Sequence, residues 1–62
     1  MAQSYEDIAD MFDEAGKQHE RIANALESRN DEYGDQNKLL AEAETKHADT
    51  CRRAASVLRN RK

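Results

Sequence analysis

The sequence has no proline and no tryptophan, one phenylalanine, one cysteine and two glycines in 62 residues. With no proline to break a helix, only glycines and polar turn residues can end one. A single cysteine, Cys51, excludes a disulfide framework within the chain. No His/Cys cluster has the spacing of a structural zinc site. Nothing approaches the ~18 consecutive apolar residues of a membrane span, so no membrane partner is expected. The start, MAQSYEDIADMF, has neither a basic segment nor a long apolar run, so a secretion signal is not expected. A lone cysteine without such a signal suits a reducing cytoplasm. No glycine-rich phosphate loop, nucleophile elbow or H-E-x-x-H is present, and neither enzymatic activity nor a cofactor is expected.

The length allows one small domain, spanning 1–62. A chain of this size buries only about 60% of its unfolded surface, so it needs a staple or a partner. With disulfide and structural zinc set aside, self-association is the remaining source of buried area. Charge is abundant and unevenly placed. Residues 1–44 carry twelve acids and four bases, whereas residues 45–62 carry six bases and one acid.

Ser4 is a good helix N-cap, and Glu6 and Asp7 in the first turn suit the helix dipole. From there Tyr5, Ile8, Phe12, Ala15, His19, Ile22 and Leu26 follow alternating steps of three and four, which is a heptad seam. The same frame reaches Arg29 and Tyr33. This pattern predicts a helix over 4–32. A second seam, Leu40, His47, Cys51, Ala54 and Leu58, with Glu44 on it, predicts a helix over 36–60. These twelve seam residues are the expected core and dimer contacts. Alongside them, Ala9, Gly16 and Ala23, and Ala41, Ala48 and Ala55, recur every seven residues. Small residues at one heptad edge let helices approach closely, although alanine is also simply a strong helix former.

Between the helices lies NDEYGDQN. Gly34 can adopt the left-handed conformation that ends a helix, Asp35 or Asn37 can cap the next one, and Asn30, Asp31 and Asn37 favour turns. A turn over 33–35 is therefore predicted. The rival reading is one continuous helix through Gly34, at a cost of about 1 kcal/mol relative to alanine. Folding the chain back near residue 33 sets Leu26 against Leu40, His19 against His47, Ala15 against Cys51, Phe12 against Ala54 and Ile8 against Leu58. Large then meets small, or like meets like, which favours an all-α antiparallel hairpin. Met11, Ala25, Leu39, Ala43 and Val57 would stay wet in a lone hairpin, so two copies are expected to dock as a four-helix bundle.

Three surfaces could carry function. His19, Glu44 and His47 converge on one level, and Glu44-x-x-His47 has the spacing of bundle metal ligands. The plainer reading is a hydrogen-bonded polar layer that sets register; as a metal site it would suit zinc, nickel or copper. Arg52, Arg53, Arg59, Arg61 and Lys62 form a basic end that could meet nucleic acid or an acidic partner, in part neutralised by the acidic start. Glu6, Asp7, Asp10, Asp13 and Glu14 place five carboxylates within nine residues, a surface for a basic partner. Cys51 reads as a small buried apolar group. The expected function is that of a small homodimeric interaction or regulatory protein that binds another macromolecule, most readily a protein. Chains of this size and composition include regulators carried by phages and plasmids. RNA or DNA binding through the basic helix and metal binding in the His/Glu layer are the alternatives.

Overall fold

A computed structural model describes residues 4–29 and 31–61. Two helices, α1 (Tyr5–Glu27) and α2 (Gly34–Arg59), pack against each other along their length as an antiparallel hairpin. The described chain measures 49 × 18 × 13 Å. A single continuous helix would be a rod of roughly 90 Å, so the reversal is real.

α1 starts where its cap chemistry dictates. Ser4 has extended backbone, and its Oγ accepts a hydrogen bond from the Asp7 N–H at 3.1 Å. The helix ends earlier than the heptad pattern predicts, at Glu27. Ser28 folds its hydroxyl back to donate to the Asn24 carbonyl at 2.7 Å. Asp31 accepts from the Tyr33 N–H at 3.0 Å and from Arg29 Nε at 3.2 Å. Asp31 thus takes the Tyr33 N–H, which a continuing helix would have used, whereas the Ser28 N–H still donates to the Asn24 carbonyl. Residues 28–33 form the connection, and Asn30 lies outside the described residues. Arg29 and Tyr33, placed on the seam by the sequence pattern, are loop residues here.

The expected role of Gly34 is corrected. It is the first residue of α2 and no glycine has positive φ. Asp35 and Asn37 do not cap α2 either; both lie within it. Tyr33 stands at the N-cap position without a side-chain hydrogen bond, and its carbonyl accepts from the Asn37 N–H at 2.8 Å.

The larger correction concerns the core. The buried residues are Ala9, Gly16 and Ala23 on α1 and Ala41, Ala48 and Ala55 on α2. Among the described residues no large side chain is fully buried. Tyr5, Phe12, Ile22, Leu40 and His47, expected in the core, are exposed. Ile8, Ala15, His19, Leu26, Cys51, Ala54 and Leu58 are half-buried. The reason is steric. Two helices that meet through alanine and glycine come too close for a bulky residue to sit between them. At Gly16 an added Cβ would lie 3.5 Å from the Ala48 carbonyl oxygen and 3.6 Å from Cys51 Cβ. Setting Gly16 against Ala48 also places Ala9 level with Ala55 and Ala23 level with Ala41. The chain therefore folds about residue 32, one position earlier than the large-residue seam predicts.

This seam generates a paired expectation. Ala48→Leu overpacks the contact and is expected to cost about 1–3 kcal/mol. Gly16→Ala places its new methyl at ordinary contact distance. It should stabilise the hairpin by up to about 1 kcal/mol through helix propensity. Thermal and urea unfolding followed by circular dichroism would check both; a destabilised Gly16→Ala would show that the seam has no room.

Candidate functional site

Helical phase sorts every other side chain to one side of the small-residue stripe or the other. On α1, residues three after a buried position, with Tyr5 one heptad earlier, are Tyr5, Phe12, His19 and Leu26. Residues four after, with Glu6 earlier, are Glu6, Asp13, Glu20 and Glu27. On α2 the corresponding sets are Asn37, Glu44, Cys51 and Leu58, and Lys38, Thr45, Arg52 and Arg59. In an antiparallel pair like sets share a face. The hairpin is consequently two-sided: one face apolar with a polar layer, the other charged.

The charged face is held by arginines of α2. Arg59 donates to three carboxylates of α1: Glu6 at 3.2 Å, Asp10 at 2.8 Å and Asp13 at 2.5 Å. Arg52 pairs with Glu20, a contact the heptad seam does not indicate because both residues lie off it. Its signal was available in the phase, since Glu20 and Arg52 each follow a buried residue by four. Arg53 pairs with Asp49 within α2 at 3.0 Å. Arg61 stacks its guanidinium over the Tyr5 ring at 5.3 Å. Lys62 lies outside the described residues. Of the acidic run, Glu6, Asp10 and Asp13 face Arg59, whereas Glu14 pairs with Lys17 at 3.4 Å. Asp7 contributes its N–H to the Ser4 cap.

The electrostatic consequence is directional. The hydrogen bond from Arg59 holds the Asp13 carboxyl below its usual value of 3.8. The carboxylates of Asp13, Asp10 and Glu6, in that order, push the guanidinium of Arg59 above its ordinary range.

On the apolar face, His19 from α1 meets Glu44 and His47 from α2. His19 Nδ1 and Glu44 Oε2 are joined by a hydrogen bond. The two imidazoles stand edge to face, with ring centroids 5.2 Å apart and planes at 64°. One ligand-type atom from each of the three residues lies within 4.8 Å of the others. His19 and Glu44 are half-buried and His47 is exposed. Glu44 and His47 are three apart on one helix face, and the close seam brings His19 across to them. Cys51 is half-buried on the same face, one turn beyond His47. It is not among the converging ligand-type atoms. Towards the start of α1, Ile8, Met11, Phe12 and Ala15 line an apolar groove. Among the described residues, no helix is long and apolar enough to cross a membrane.

Comparison with protein-family models, with curated proteins and with solved structures finds no match for this chain.

The charged face leads to a pH-dependent expectation. A carboxyl whose pKa is depressed by folding stabilises the fold fully above its unfolded value, and that contribution is lost as pH falls through the folded value. Arg59→Ala should therefore lower the melting temperature at pH 7. The difference from wild type should shrink as pH drops below about 4. A gap that stayed constant down to about pH 2 would show that Arg59 acts through packing and not through Asp13.

Proposed function

We propose that this chain is a non-enzymatic interaction protein: a helical hairpin that pairs through its apolar face with a second copy and binds another protein through its polar outer surface. One observation carries the reading. The small-residue seam uses no large side chain, so Tyr5, Met11, Phe12, Ile22, Leu40 and Val57 remain 36–57% exposed. Tyr5, Phe12, Ile22 and Leu40 lie on the face that carries the His/Glu layer, and Met11 and Val57 fall at its outer edge. Scattered apolar residues on a surface are ordinary, but a contiguous apolar face rimmed by charge marks an interaction site.

A second copy is the occupant that suits this face best. The slab is 49 by 18 Å, a footprint near the roughly 800 Å² per partner buried in standard interfaces. Two hairpins stacked face to face give a four-helix bundle with a conventional core of large side chains. The polar layer sits near the middle of the hairpin, so a two-fold axis there sets each layer against its equivalent.

The outer surface favours a protein partner over nucleic acid. A nucleic-acid interface needs free cations. Here Arg59 and Arg52 are turned to carboxylates of α1, and Arg53 is paired with Asp49. Around Arg59 three carboxylates meet one guanidinium, which leaves local negative charge for a basic partner.

Sedimentation equilibrium should give twice the chain mass for wild type. The double variant Phe12→Glu, Leu40→Glu should run as a folded or partly folded monomer. A wild-type monomer at tens of micromolar, on the order of usual laboratory concentrations, removes self-association from the reading. Tagged capture from a host lysate, with and without nuclease, tests the partner: recovery of one protein in both conditions supports it, and nuclease-sensitive recovery supports the nucleic-acid alternative.

A further inference from the structure

We propose that His19, Glu44 and His47 of a single hairpin form a binding site for a divalent transition metal of the zinc class. Three observations converge on it. The donor atoms come from both helices and already lie within 4.8 Å of one another. Two imidazoles and one carboxylate are a donor set typical of zinc, nickel and copper, not of magnesium or calcium, which take oxygen ligands. The layer also interrupts a largely apolar stripe: Phe12 and Leu26 lie one heptad either side of His19, and Cys51 and Leu58 lie one and two heptads beyond Glu44, with Asn37 the other polar position. Polar groups on a face that is otherwise apolar are costly when that face is covered, unless something satisfies them.

The geometry needs little adjustment. Tetrahedral zinc holds its ligands at about 2.0–2.2 Å, which sets donor atoms roughly 3.3–3.6 Å apart; the His19–Glu44 pair, now in hydrogen-bond contact, must open slightly, and His47 must close on it. Glu44 and His47 have flexible stems, and His47 is exposed, so the side chains can close on an ion without moving the helices. His19 Nδ1 and Glu44 Oε2 are hydrogen-bonded to each other. A metal ion bound by both atoms would replace that hydrogen bond, with the imidazole proton held on Nε2. Three protein ligands leave one coordination position for water. The ion would join α1 to α2 directly, so it should stabilise the hairpin as any ligand of the native state does.

The site is complete within one chain and does not depend on the self-association proposed above. The test is competition between the full-length chain and a chromophoric chelator for zinc, with magnesium as control. Wild type is expected to take one zinc per chain and to melt at a higher temperature with zinc, and to ignore magnesium. His19→Ala, His47→Ala and Glu44→Gln should each weaken zinc binding by at least tenfold, on the order of the loss seen even for outer-sphere ligands. Each is to be shown helical by circular dichroism. Cys51→Ser should bind as wild type does. The monomeric double variant Phe12→Glu, Leu40→Glu should also bind one zinc per chain. Sub-stoichiometric uptake by wild type, unchanged affinity in the ligand variants, or loss of binding in Cys51→Ser would overturn the proposal. Binding by wild type but not by the helical double variant would overturn it too, since the site would then need two chains.

Discussion

The structure depends on the close approach of two helices through a stripe of alanine and glycine. Ala9, Gly16 and Ala23 meet Ala41, Ala48 and Ala55, and nothing larger is fully buried among the described residues. Such a seam differs from a usual coiled-coil core, in which leucine and isoleucine fill the space between helices. Its gain comes from backbone-to-backbone proximity and dispersion, and alanine loses no side-chain entropy when it is buried. The hydrophobic contribution is small, because methyl groups remove little apolar area from water. The same closeness has a geometric consequence. Everything bulky is displaced sideways, to one flank or the other, and the sequence determines which kind goes where.

The division of flanks follows from a single phase relation. A residue three after a buried one falls on the apolar face, and a residue four after falls on the charged face. Glu6, Asp13 and Glu20 are thereby set opposite Arg59 and Arg52. Exposed ion pairs of this kind contribute little to stability. Their value lies in register and direction. Arg59 reaches Glu6, Asp10 and Asp13 only when the end of α2 lies beside the start of α1. In a parallel arrangement unlike sets would share a face, and Glu6, Asp13 and Glu20 would lie beside Asn37, Glu44 and Cys51, which hold no base. Charge therefore reinforces the topology that the short connection already imposes.

Much of this was legible before the fold. The heptad period, the two helices, the Ser4 cap, the reversal, the proximity of His19 to His47 and the setting of acidic start beside basic end all follow from spacing and charge. Two features did not. The first was which stripe would be buried: hydrophobicity ranks Phe12, Ile22 and Leu40 above Ala9 and Gly16, and a two-helix contact obeys size before hydrophobicity. That choice also moved the fold point by one residue. The second was the turn. Gly34 is the only glycine near the middle of the sequence, but it lies inside α2, and the turn contact is made by Asp31, whose carboxylate accepts from the Tyr33 N–H. A glycine signals a turn only where positive φ is needed, and here none is.

The polar layer has a further consequence for anything that covers the apolar face. A purely apolar heptad stripe tolerates sliding by seven residues, because each register sets large side chains against large side chains. His19, Glu44 and His47 remove that tolerance. A second copy shifted by one heptad would press Phe12 or Leu26 against the imidazoles and the carboxylate, leaving them desolvated and without partners. Only the register that sets layer against layer, or that satisfies it with an ion, avoids this penalty. Discrimination of this kind works by destabilising the wrong arrangements more than by strengthening the right one. The alanine seam makes the device available. By burying nothing large between its own helices, the hairpin carries both its apolar surface and its ligand-type residues on one face.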